Sequence, residues 1–318
     1  MTGSPDRTTE LVGRPEIEAA AARIAGRVRE TPVLDLEPRA LGLDGALTLK
    51  LELLQHTGSF KPRGAFNAML AADIPAPGVV AASGGNFALA VAHAAAQLGY
   101  PAAIFVPESS PAAKIDRLRP SGAEIVVTGA YYDDALAAAR ERATASGAVE
   151  LHAFDDPLVV AGQGTCAREL DRSRHALDTV VAAVGGGGLC GGVAAWYGDR
   201  ARIVAVEPER CPTLARALEA GEPVDVEVSG HAADSLGARR IGAHPWAVLS
   251  RHVDEAVLVG DEAIADAQRR LWAELRIAAE PGGAAALAAL LAGAYVPAVD
   301  ERVGVLVCGG NFDPSEVA

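Results

Sequence analysis

Short apolar stretches alternate with longer segments of helical periodicity along most of the chain. The apolar stretches predict eight strands: Leu47–Leu53, Val79–Ala82, Ala102–Val106, Glu124–Thr128, Thr179–Val184, Arg202–Val206, Ala256–Val259 and Val303–Val307. Apolar residues that recur at helical spacing predict helices between and before them: Glu16–Arg29, Ala65–Ala72, Phe87–Leu98, Tyr132–Ala145, Leu158–Asp171, Asp261–Leu275 and Ala284–Leu291. Alternating apolar strands and helices are typical of parallel β-α-β units with both sheet faces covered. The pattern therefore predicts an α/β fold.

The order of these units predicts two lobes that share one cleft. Three or four units lie between about Leu53 and Ala153, and no segment resembles a flexible linker. We expect residues 53–153 to form a smaller, mobile domain and residues 1–52 and 154–318 to form a larger one. The first ten or so residues are polar and mixed in charge, and we expect them to be a disordered leader.

Composition and charge narrow the class of function. The chain of 318 residues has 28 basic and 41 acidic residues, a net charge of −13, which disfavours binding to nucleic acid. Its four cysteines form no C-x-x-C pair, which suits a reducing cytoplasm. No apolar stretch resembles a signal peptide or a membrane span, so we expect no membrane partner.

A lysine stands where a predicted strand and loop lead into a helix. Lys61 is flanked by Phe60, Pro62 and Gly64, which would shield and stiffen its surroundings. Burial disfavours a charged amine, lowers its pKa and makes it nucleophilic, as Schiff-base chemistry requires. A surface lysine without a special role is the alternative that this segment alone leaves open.

Four consecutive glycines follow the predicted strand Thr179–Val184 and open a helix of small residues. The run comprises Gly185, Gly186, Gly187 and Gly188, followed by Leu189. Its backbone amides can close around a phosphate, and the helix dipole adds to the attraction. Gly186, Gly188 and Gly191 also match G-x-G-x-x-G, and Glu207 ends the next strand, so a dinucleotide site remains an alternative.

A third candidate segment follows the last predicted strand, where Cys308 precedes Gly309, Gly310 and Asn311. A glycine pair beside a small polar residue permits close approach to a flat ring. A turn with a buried structural cysteine is the alternative. All three segments follow predicted strands, which is where ligands bind in α/β sheets.

Together, these segments resemble the fold-type II pyridoxal-phosphate enzymes and, within them, the serine/threonine dehydratase family. The matching motifs are S-F-K-x-R-G-A at Ser59–Ala65, S-x-G-N at Ser83–Asn86, the glycine run, Ala161–Thr165 and Glu280-Pro281. Their order and spacing agree from about Thr31 to Asn311. The resemblance implies an architecture similar to tryptophan synthase β, in which residues 1–52 and 154–318 form the cofactor-binding domain.

The resemblance also implies a role for each matching residue. Lys61 would hold pyridoxal 5'-phosphate as a Schiff base and later take the proton from the substrate Cα. The glycine run with Leu189 would hold the cofactor phosphate. The other implied cofactor residues are Phe60 beside the ring, Asn86 at the ring hydroxyl, Glu280, and Cys308 at the pyridine nitrogen. The implied substrate residues are Ser83, Gly84, Gly85 and Asn86.

Three departures from the family pattern bear on the substrate and on a cation. Phe87 stands where many dehydratases have histidine, so a polar contact to the substrate is lost and an unusual substrate such as a bulkier β-hydroxy amino acid is left open. Gly84 stands where racemising relatives carry a serine, and because glycine cannot donate a proton, racemase activity is disfavoured. Glu207 matches one acid of the family's cation loop, but Thr213 replaces the second, so a monovalent or a divalent cation at Glu207 is left open.

We therefore predict an enzyme that converts L-threonine, L-serine or a related β-hydroxy amino acid to a 2-oxo acid and ammonia. The family resemblance further implies a homodimer. A cysteine-synthase-like β-replacement enzyme remains an alternative, although those enzymes read K-D-R and T-S-G-N at the corresponding motifs. An amino-acid racemase and a nicotinamide-dependent oxidoreductase are more remote alternatives.

Overall fold

Two separate sheets organise the chain in a computed structural model that describes residues 11–108, 110, 112–173 and 177–313. The strands are β1 (Val33–Leu36), β2 (Leu47–Leu51), β3 (Val79–Ala82), β4 (Ala102–Val106), β5 (Glu124–Val127), β6 (Val149–Glu150), β7 (Thr179–Ala183), β8 (Arg202–Pro208), β9 (Glu255–Val259) and β10 (Val303–Val307). The six-stranded sheet has the order β1-β2-β10-β7-β8-β9, and the four-stranded sheet has the order β5-β4-β3-β6.

Helices separate most of these strands. They are α1 (Arg14–Ile24), α2 (Pro62–Ala71), α3 (Asn86–Leu98), α4 (Ala112–Leu118), α5 (Tyr132–Ser146), α6 (Pro157–Ser173), α7 (Gly188–Tyr197), α8 (Thr213–Ala220), α9 (Ala233–Leu236), α10 (Ala243–His252), α11 (Asp261–Leu275) and α12 (Pro281–Leu291). The strands pair in parallel except that β1 runs antiparallel to β2. The predicted α/β fold is thus confirmed.

The sequence pattern located most elements but misplaced several ends. The predicted first helix, Glu16–Arg29, ends at Ile24, and the predicted strand Leu47–Leu53 ends at Leu51, where a short 3-10 turn begins. Neither β1 nor β6 was predicted, because both are short and only partly buried. The helix predicted at Ala65–Ala72 begins three residues earlier, at Pro62, which places Lys61 at its N-cap.

Helices cover both faces of the six-stranded sheet, which explains why its strands are continuously apolar. Val180 and Ala182 of β7 face a core built with α1, α6, α7 and α10. Val181 and Ala183 of the same strand face the opposite core, built with α11 and α12. Because successive side chains point to opposite faces, every position of the strand must be apolar.

Two glycines of α6 join it closely to its neighbours. A side chain on Gly162 would lie 2.6 Å from the backbone oxygen of Arg63 in α2, and one on Gly164 would lie 2.8 Å from the backbone oxygen of Gly192 in α7. The motif at Ala161–Thr165 therefore lets α2 and α7 pack tightly against α6, next to Lys61 and the glycine run.

The four-stranded sheet is built from residues 79–150 and the six-stranded sheet from the rest. The domain limits at residues 53 and 153, and the mobility of the smaller domain, stay predictions. The predicted leader lies outside the described residues. Within the part of the chain that the structure describes, no helix is both long and apolar enough to span a membrane.

Candidate functional site

Lys61 lies at the start of α2, where Pro62 occupies the first helical turn. Its amine donates a hydrogen bond of 3.0 Å to the carbonyl oxygen of Ala153, and its side chain is partly exposed. Proline suits this position because the first-turn amides of a helix have no partner within the helix. The helix end thus presents the amine toward the loop that follows β6.

The surroundings of Lys61 disfavour its protonated form. Its Nζ lies 5.0 Å from the ring centre of Phe60 and 5.7 Å from that of Phe87. Desolvation lowers the pKa of Lys61 to about 8, although Cys308 and Glu280 act in the opposite direction. About a tenth of the amine is therefore neutral and nucleophilic at pH 7, far more than for an exposed lysine.

Asn86 joins the start of α3 to two other parts of the site. Its Nδ2 donates to Glu280 Oε1 at 2.6 Å, and its Oδ1 accepts from Asn311 Nδ2 at 2.8 Å. Asn311 Nδ2 also donates to the carbonyl oxygen of Thr57 at 2.7 Å. Four segments that are far apart in sequence are thus tied together around the Asn86 amide.

Cys308 is buried at the end of β10, beside the segment that carries Lys61. Its backbone oxygen accepts from Phe60 N at 3.1 Å, and its Sγ donates to the backbone oxygen of Gly282 at 3.3 Å. Desolvation raises the pKa of the Cys308 thiol well above its usual range, and the Glu280 carboxylate adds to this effect. The thiol is therefore neutral at physiological pH.

The glycine run lies in a confined space at the N-terminus of α7. Side chains at Gly186 or Gly188 would run into Phe154, and one at Gly185 would lie 3.0 Å from the Cα of Leu236. Gly187 has a φ of +92°, which disfavours any other residue. The first-turn amides of α7 have no intrahelical partner, so this end of the helix suits an anion.

The loop that contains Ser83, Gly84 and Gly85 connects β3 to α3. Ser83 Oγ accepts from the Gly85 amide at 3.2 Å, a local bond that shapes the turn. A side chain at Gly84 would lie 2.6 Å from Ser110 Oγ, and one at Gly85 would lie 3.9 Å from the backbone oxygen of Asp234. The loop therefore faces residues of both lobes.

Glu207 is buried at the end of β8, where it caps α8. Its two carboxylate oxygens accept from Leu214 N at 2.6 Å and from Ala215 N at 2.8 Å. Burial raises its pKa to about 7, while these backbone bonds act in the opposite direction. Thr213 Oγ1 donates to the backbone oxygen of Ala238 at 2.8 Å. Among the described residues no group of three or more acidic, histidine or cysteine side chains is arranged to hold a metal.

The structure adds residues that the sequence did not reveal. Ala153 supplies the oxygen that binds the Lys61 amine, and the Phe154 ring packs against Gly186. Their segment follows β6, a two-residue strand that was not predicted, so the turn after it was not considered. Phe87 was noted only as a departure from a family pattern, but its ring lies close to the Lys61 amine.

Comparison with known proteins identifies the family. The sequence profile described as "Pyridoxal-phosphate dependent enzyme" matches residues 24–309. The chain belongs to this family. Within it, the chain falls among the fold-type II enzymes of the serine/threonine dehydratase group. This membership excludes a nicotinamide-dependent oxidoreductase. Glu207, the acid which that alternative assigned to the dinucleotide, instead accepts hydrogen bonds from backbone amides of α8.

Relatives within this family carry out different reactions. L-threonine ammonia-lyase of Geobacter sulfurreducens is 37% identical over 307 residues, which cover 95% of this chain and 76% of that protein. Phenylserine dehydratase of Ralstonia pickettii is 35% identical, with 98% of this chain and 97% of that protein covered. The structure of maize serine racemase superposes with a TM-score of 0.90 at 34% identity, covering 96% and 95% of the two chains.

The residues present fit pyridoxal 5'-phosphate (PLP), the cofactor of this family. The glycine run lies where side chains would press against Phe154 or Leu236, so its backbone at the N-terminus of α7 stays bare, and the first-turn amides there suit a phosphate. Lys61 supplies an amine with a lowered pKa. The buried hydroxyl of Ser59, just before Phe60, has no hydrogen-bond partner among the described residues, as expected of a group beside a ligand site. The role of each single residue stays a prediction.

Proposed function

We propose that this chain is a PLP-dependent ammonia-lyase that converts L-threonine, L-serine or a related β-hydroxy amino acid to a 2-oxo acid and ammonia. The observation that carries the proposal is the Lys61 amine, which lies near two aromatic rings and whose pKa desolvation lowers to about 8. The threonine ammonia-lyase relatives support this reaction.

Each catalytic step assigned to the protein needs a group of this chain. Bound PLP would hold the amino group of the substrate and withdraw electrons from the substrate Cα. Lys61 Nζ, neutral in part near pH 8, would then hold the proton that leaves Cα. The β-hydroxyl would leave with a proton as water, which completes the elimination, and a second water would convert the released enamine to the 2-oxo acid and ammonia.

The other residues orient the reactants and set the charge of the site. Asn86 is held by Glu280 and Asn311, so its amide has a fixed direction for binding. The neutral Cys308 thiol brings no negative charge to its part of the site. The loop from Ser83 to Asn86 offers amides and side chains for the substrate carboxylate.

Racemisation is the less favoured reaction, although serine racemases are among the relatives. A racemase needs a proton donor on each face of Cα, and Gly84 supplies none from its own side chain. A cysteine-synthase-like β-replacement remains an alternative on sequence motifs. Detection of D-serine or of a β-substituted product would distinguish the three activities.

A second candidate substrate has an aromatic group on the β-carbon. Phe60 and Phe87 lie within 6 Å of the Lys61 amine, and Phe154 lines the glycine run. Aromatic rings pack well against one another, so these side chains favour a phenyl substituent. The phenylserine dehydratase relative, which this chain matches over nearly its whole length, supports the same candidate.

A cation near Glu207 and a homodimer are further proposals that rest on the family resemblance. Glu207 keeps lone pairs beyond those that the two backbone amides use. If a cation binds there, potassium or magnesium should raise the melting temperature of the wild type and not that of Glu207→Gln. Sedimentation of the holoprotein tests the homodimer.

The test of the proposed function combines spectroscopy with product analysis. The purified holoprotein should absorb in the visible range, and addition of L-threonine, L-serine or phenylserine should release a 2-oxo acid and ammonia. Bound cofactor without 2-oxo acid from any of the three would overturn the proposed reaction. A protein that binds no PLP even when it is supplied would overturn the cofactor assignment as well.

A further inference from the structure

A second cluster of buried charges lies two residues beyond Lys61. The Arg63 side chain is fully buried, and its guanidinium contacts two carboxylates, each through two nitrogens. The bonds run from Nε to Glu52 Oε2 at 2.7 Å, from Nη2 to Glu52 Oε1 at 2.8 Å, from Nη1 to Glu169 Oε1 at 2.6 Å and from Nη2 to Glu169 Oε2 at 2.8 Å. Nη1 also donates to Thr165 Oγ1 at 3.1 Å, and Nη2 to the backbone oxygen of Arg29 at 3.3 Å.

The charges in this cluster balance. Lys50 Nζ donates to Glu169 Oε2 at 2.6 Å and to the backbone oxygen of Thr31 at 2.8 Å, and it lies 3.9 Å from Glu52 Oε1. Two cations, Lys50 and Arg63, thus face two carboxylates. Thr31 Oγ1 adds a bond of 2.5 Å to Glu52. Removing one member of such a buried set leaves a charge without compensation, which is costly.

Arg63 connects this cluster to the end of the helix that carries Lys61. The Arg63 amide donates to the backbone oxygen of Phe60 at 3.1 Å, and Lys61 O accepts from Ala65 N at 3.2 Å. Glu52 follows β2, whereas Glu169 belongs to α6. The first turn of α2 is therefore held by the segment after β2 and by α6, on the side away from the Lys61 amine.

We propose that Arg63 is the positioning residue for Lys61: its bidentate bonds to Glu52 and Glu169 set the orientation of the first turn of α2 and thereby the place of the Lys61 amine. The proposal rests on the proposed role of Lys61 as the lysine that binds PLP. To contact cofactor and substrate, the Lys61 side chain must give up its bond to Ala153 and move. The backbone of Lys61 must therefore be held in a fixed position. A displacement of about 1 Å at a reacting group costs about 10²-fold in rate.

Arginine is suited to this position in a way that lysine is not. The two carboxylates, Thr165 and Arg29 together use all three guanidinium nitrogens. A lysine ammonium keeps the charge but has a single nitrogen, so it cannot span both carboxylates in a planar fork. Arg63→Lys therefore preserves the net charge of the cluster and removes the geometry.

The experiment compares Arg63→Lys with Lys50→Met, both as holoproteins. Lys50→Met disturbs the same buried cluster, but from strand β2, whose backbone does not adjoin Lys61. Three quantities are measured for each: the melting temperature, kcat and KM with L-threonine, L-serine or phenylserine, whichever the wild type uses, and the pH midpoint of the visible absorbance of the bound cofactor. Borohydride reduction followed by peptide mass spectrometry reports where the cofactor is attached.

Arg63→Lys should lower kcat about 10²-fold with a smaller change in KM, and it should shift the pH midpoint. Lys50→Met should lower the melting temperature at least as much while leaving kcat within about threefold and the pH midpoint unchanged. Should Arg63→Lys fail to fold, Glu169→Gln, which removes one bidentate partner, is expected to give the same shift in pH midpoint.

Equal effects of Arg63→Lys and Lys50→Met on all three quantities would overturn the proposal, since the cluster would then act only through stability. An unchanged pH midpoint in Arg63→Lys or, in its place, Glu169→Gln would also overturn it. A wild type that shows no cofactor trapped on Lys61 would instead overturn the proposed function, and with it the role for Arg63. The two failures are thereby distinguished.

Discussion

The two sides of the first turn of α2 hold buried charges in opposite ways. On one side, Arg63 and Lys50 are each matched by carboxylates at distances of 2.6–2.8 Å. On the other side, the Lys61 amine donates to an uncharged carbonyl oxygen and lies near two aromatic rings. The matched cluster holds its cations in place, whereas the Lys61 site leaves an amine that gives up its proton readily.

This difference shows how one short segment can be both rigid and reactive. A buried cation with well-placed partners keeps its charge, because the carboxylates of Glu52 and Glu169 offset the desolvation of the Arg63 guanidinium. The Lys61 amine is compensated only in part, by Cys308 and Glu280, so desolvation lowers its pKa to about 8. In the proposed function, the lowered pKa makes the Lys61 amine reactive, and the paired Arg63 guanidinium would fix its position.

Removal of the Lys61 amine should have the largest effect. Lys61→Ala is expected to lower kcat/KM by about 10³-fold or more, because both the covalent anchor and the base at Cα are lost. Lys61→Arg is the matched control, because arginine keeps the positive charge but its guanidinium cannot form a Schiff base with the cofactor. Steady-state assays check this, and a Lys61→Ala protein that keeps a tenth of the wild-type activity would contradict the proposed role of Lys61.

Loss of the Asn86 amide should reduce activity less. Asn86→Ala breaks the bonds to Glu280 and Asn311, and we expect kcat to fall about 10²-fold because the reactants are less well oriented. Asn67→Ala is a suitable control. Asn67 is buried, whereas Asn86 is partly exposed, and it is bonded to Arg23 and to the Leu158 oxygen farther along α2.

Asn67→Ala should therefore lower the melting temperature without a comparable loss of kcat. Equal losses of kcat in the two asparagine variants would show that stability, not orientation, explains both. Thermal unfolding and initial rates measured on the same preparations make the comparison direct.

The pH dependence of cofactor loading reports the state of Lys61. In cofactor-free protein the neutral amine is the reactive form, so the loading rate should rise about tenfold per pH unit below the pKa and level off above about pH 8. A stopped-flow absorbance measurement with added PLP checks this prediction. Its range, about pH 6 to 10, extends about two units on either side of the Lys61 pKa. A rate that continues to rise to pH 10 would mean that the amine is not desolvated.

Substitution of Phe87 should have the smallest effect, and it tests whether the Phe87 ring contacts the substrate. Phe87→His places a polar ring near the Lys61 amine and should shift the ratio of kcat/KM for phenylserine over threonine about tenfold toward threonine. Phe87→Leu, which keeps the apolar burial, controls for packing and should shift the ratio less. An unchanged ratio in Phe87→His would remove Phe87 from the substrate pocket.

Local patterns predicted much of the fold because the strands are buried on both faces. Val79–Ala82, Ala102–Val106 and Val303–Val307 have the limits that the sequence predicted. The strand Val33–Leu36 escaped prediction because it is short and partly exposed at a sheet edge, so its apolar residues form no distinctive run. The helices α8 and α10 were likewise missed, and both follow proline- or glycine-rich turns.

The site was predictable where one segment carries the chemistry and not where distant segments meet. The motif around Lys61 and the glycine run could be identified from neighbouring residues alone. The contact of Lys61 with Ala153 spans 92 positions, and the bond of Arg63 to Glu169 spans 106. Such pairs depend on how α2 packs against α6, which no local pattern of the sequence encodes.

The most direct test of the account asks which lysine carries the cofactor. The chain contains three lysines, Lys50, Lys61 and Lys114, so borohydride reduction of the holoprotein and peptide mass spectrometry give an unambiguous assignment. We expect a single pyridoxyl-phosphate adduct on Lys61 and none on Lys50, whose amine is held by Glu169 and Glu52. An adduct on Lys50 or Lys114, with Lys61 unmodified, would contradict it.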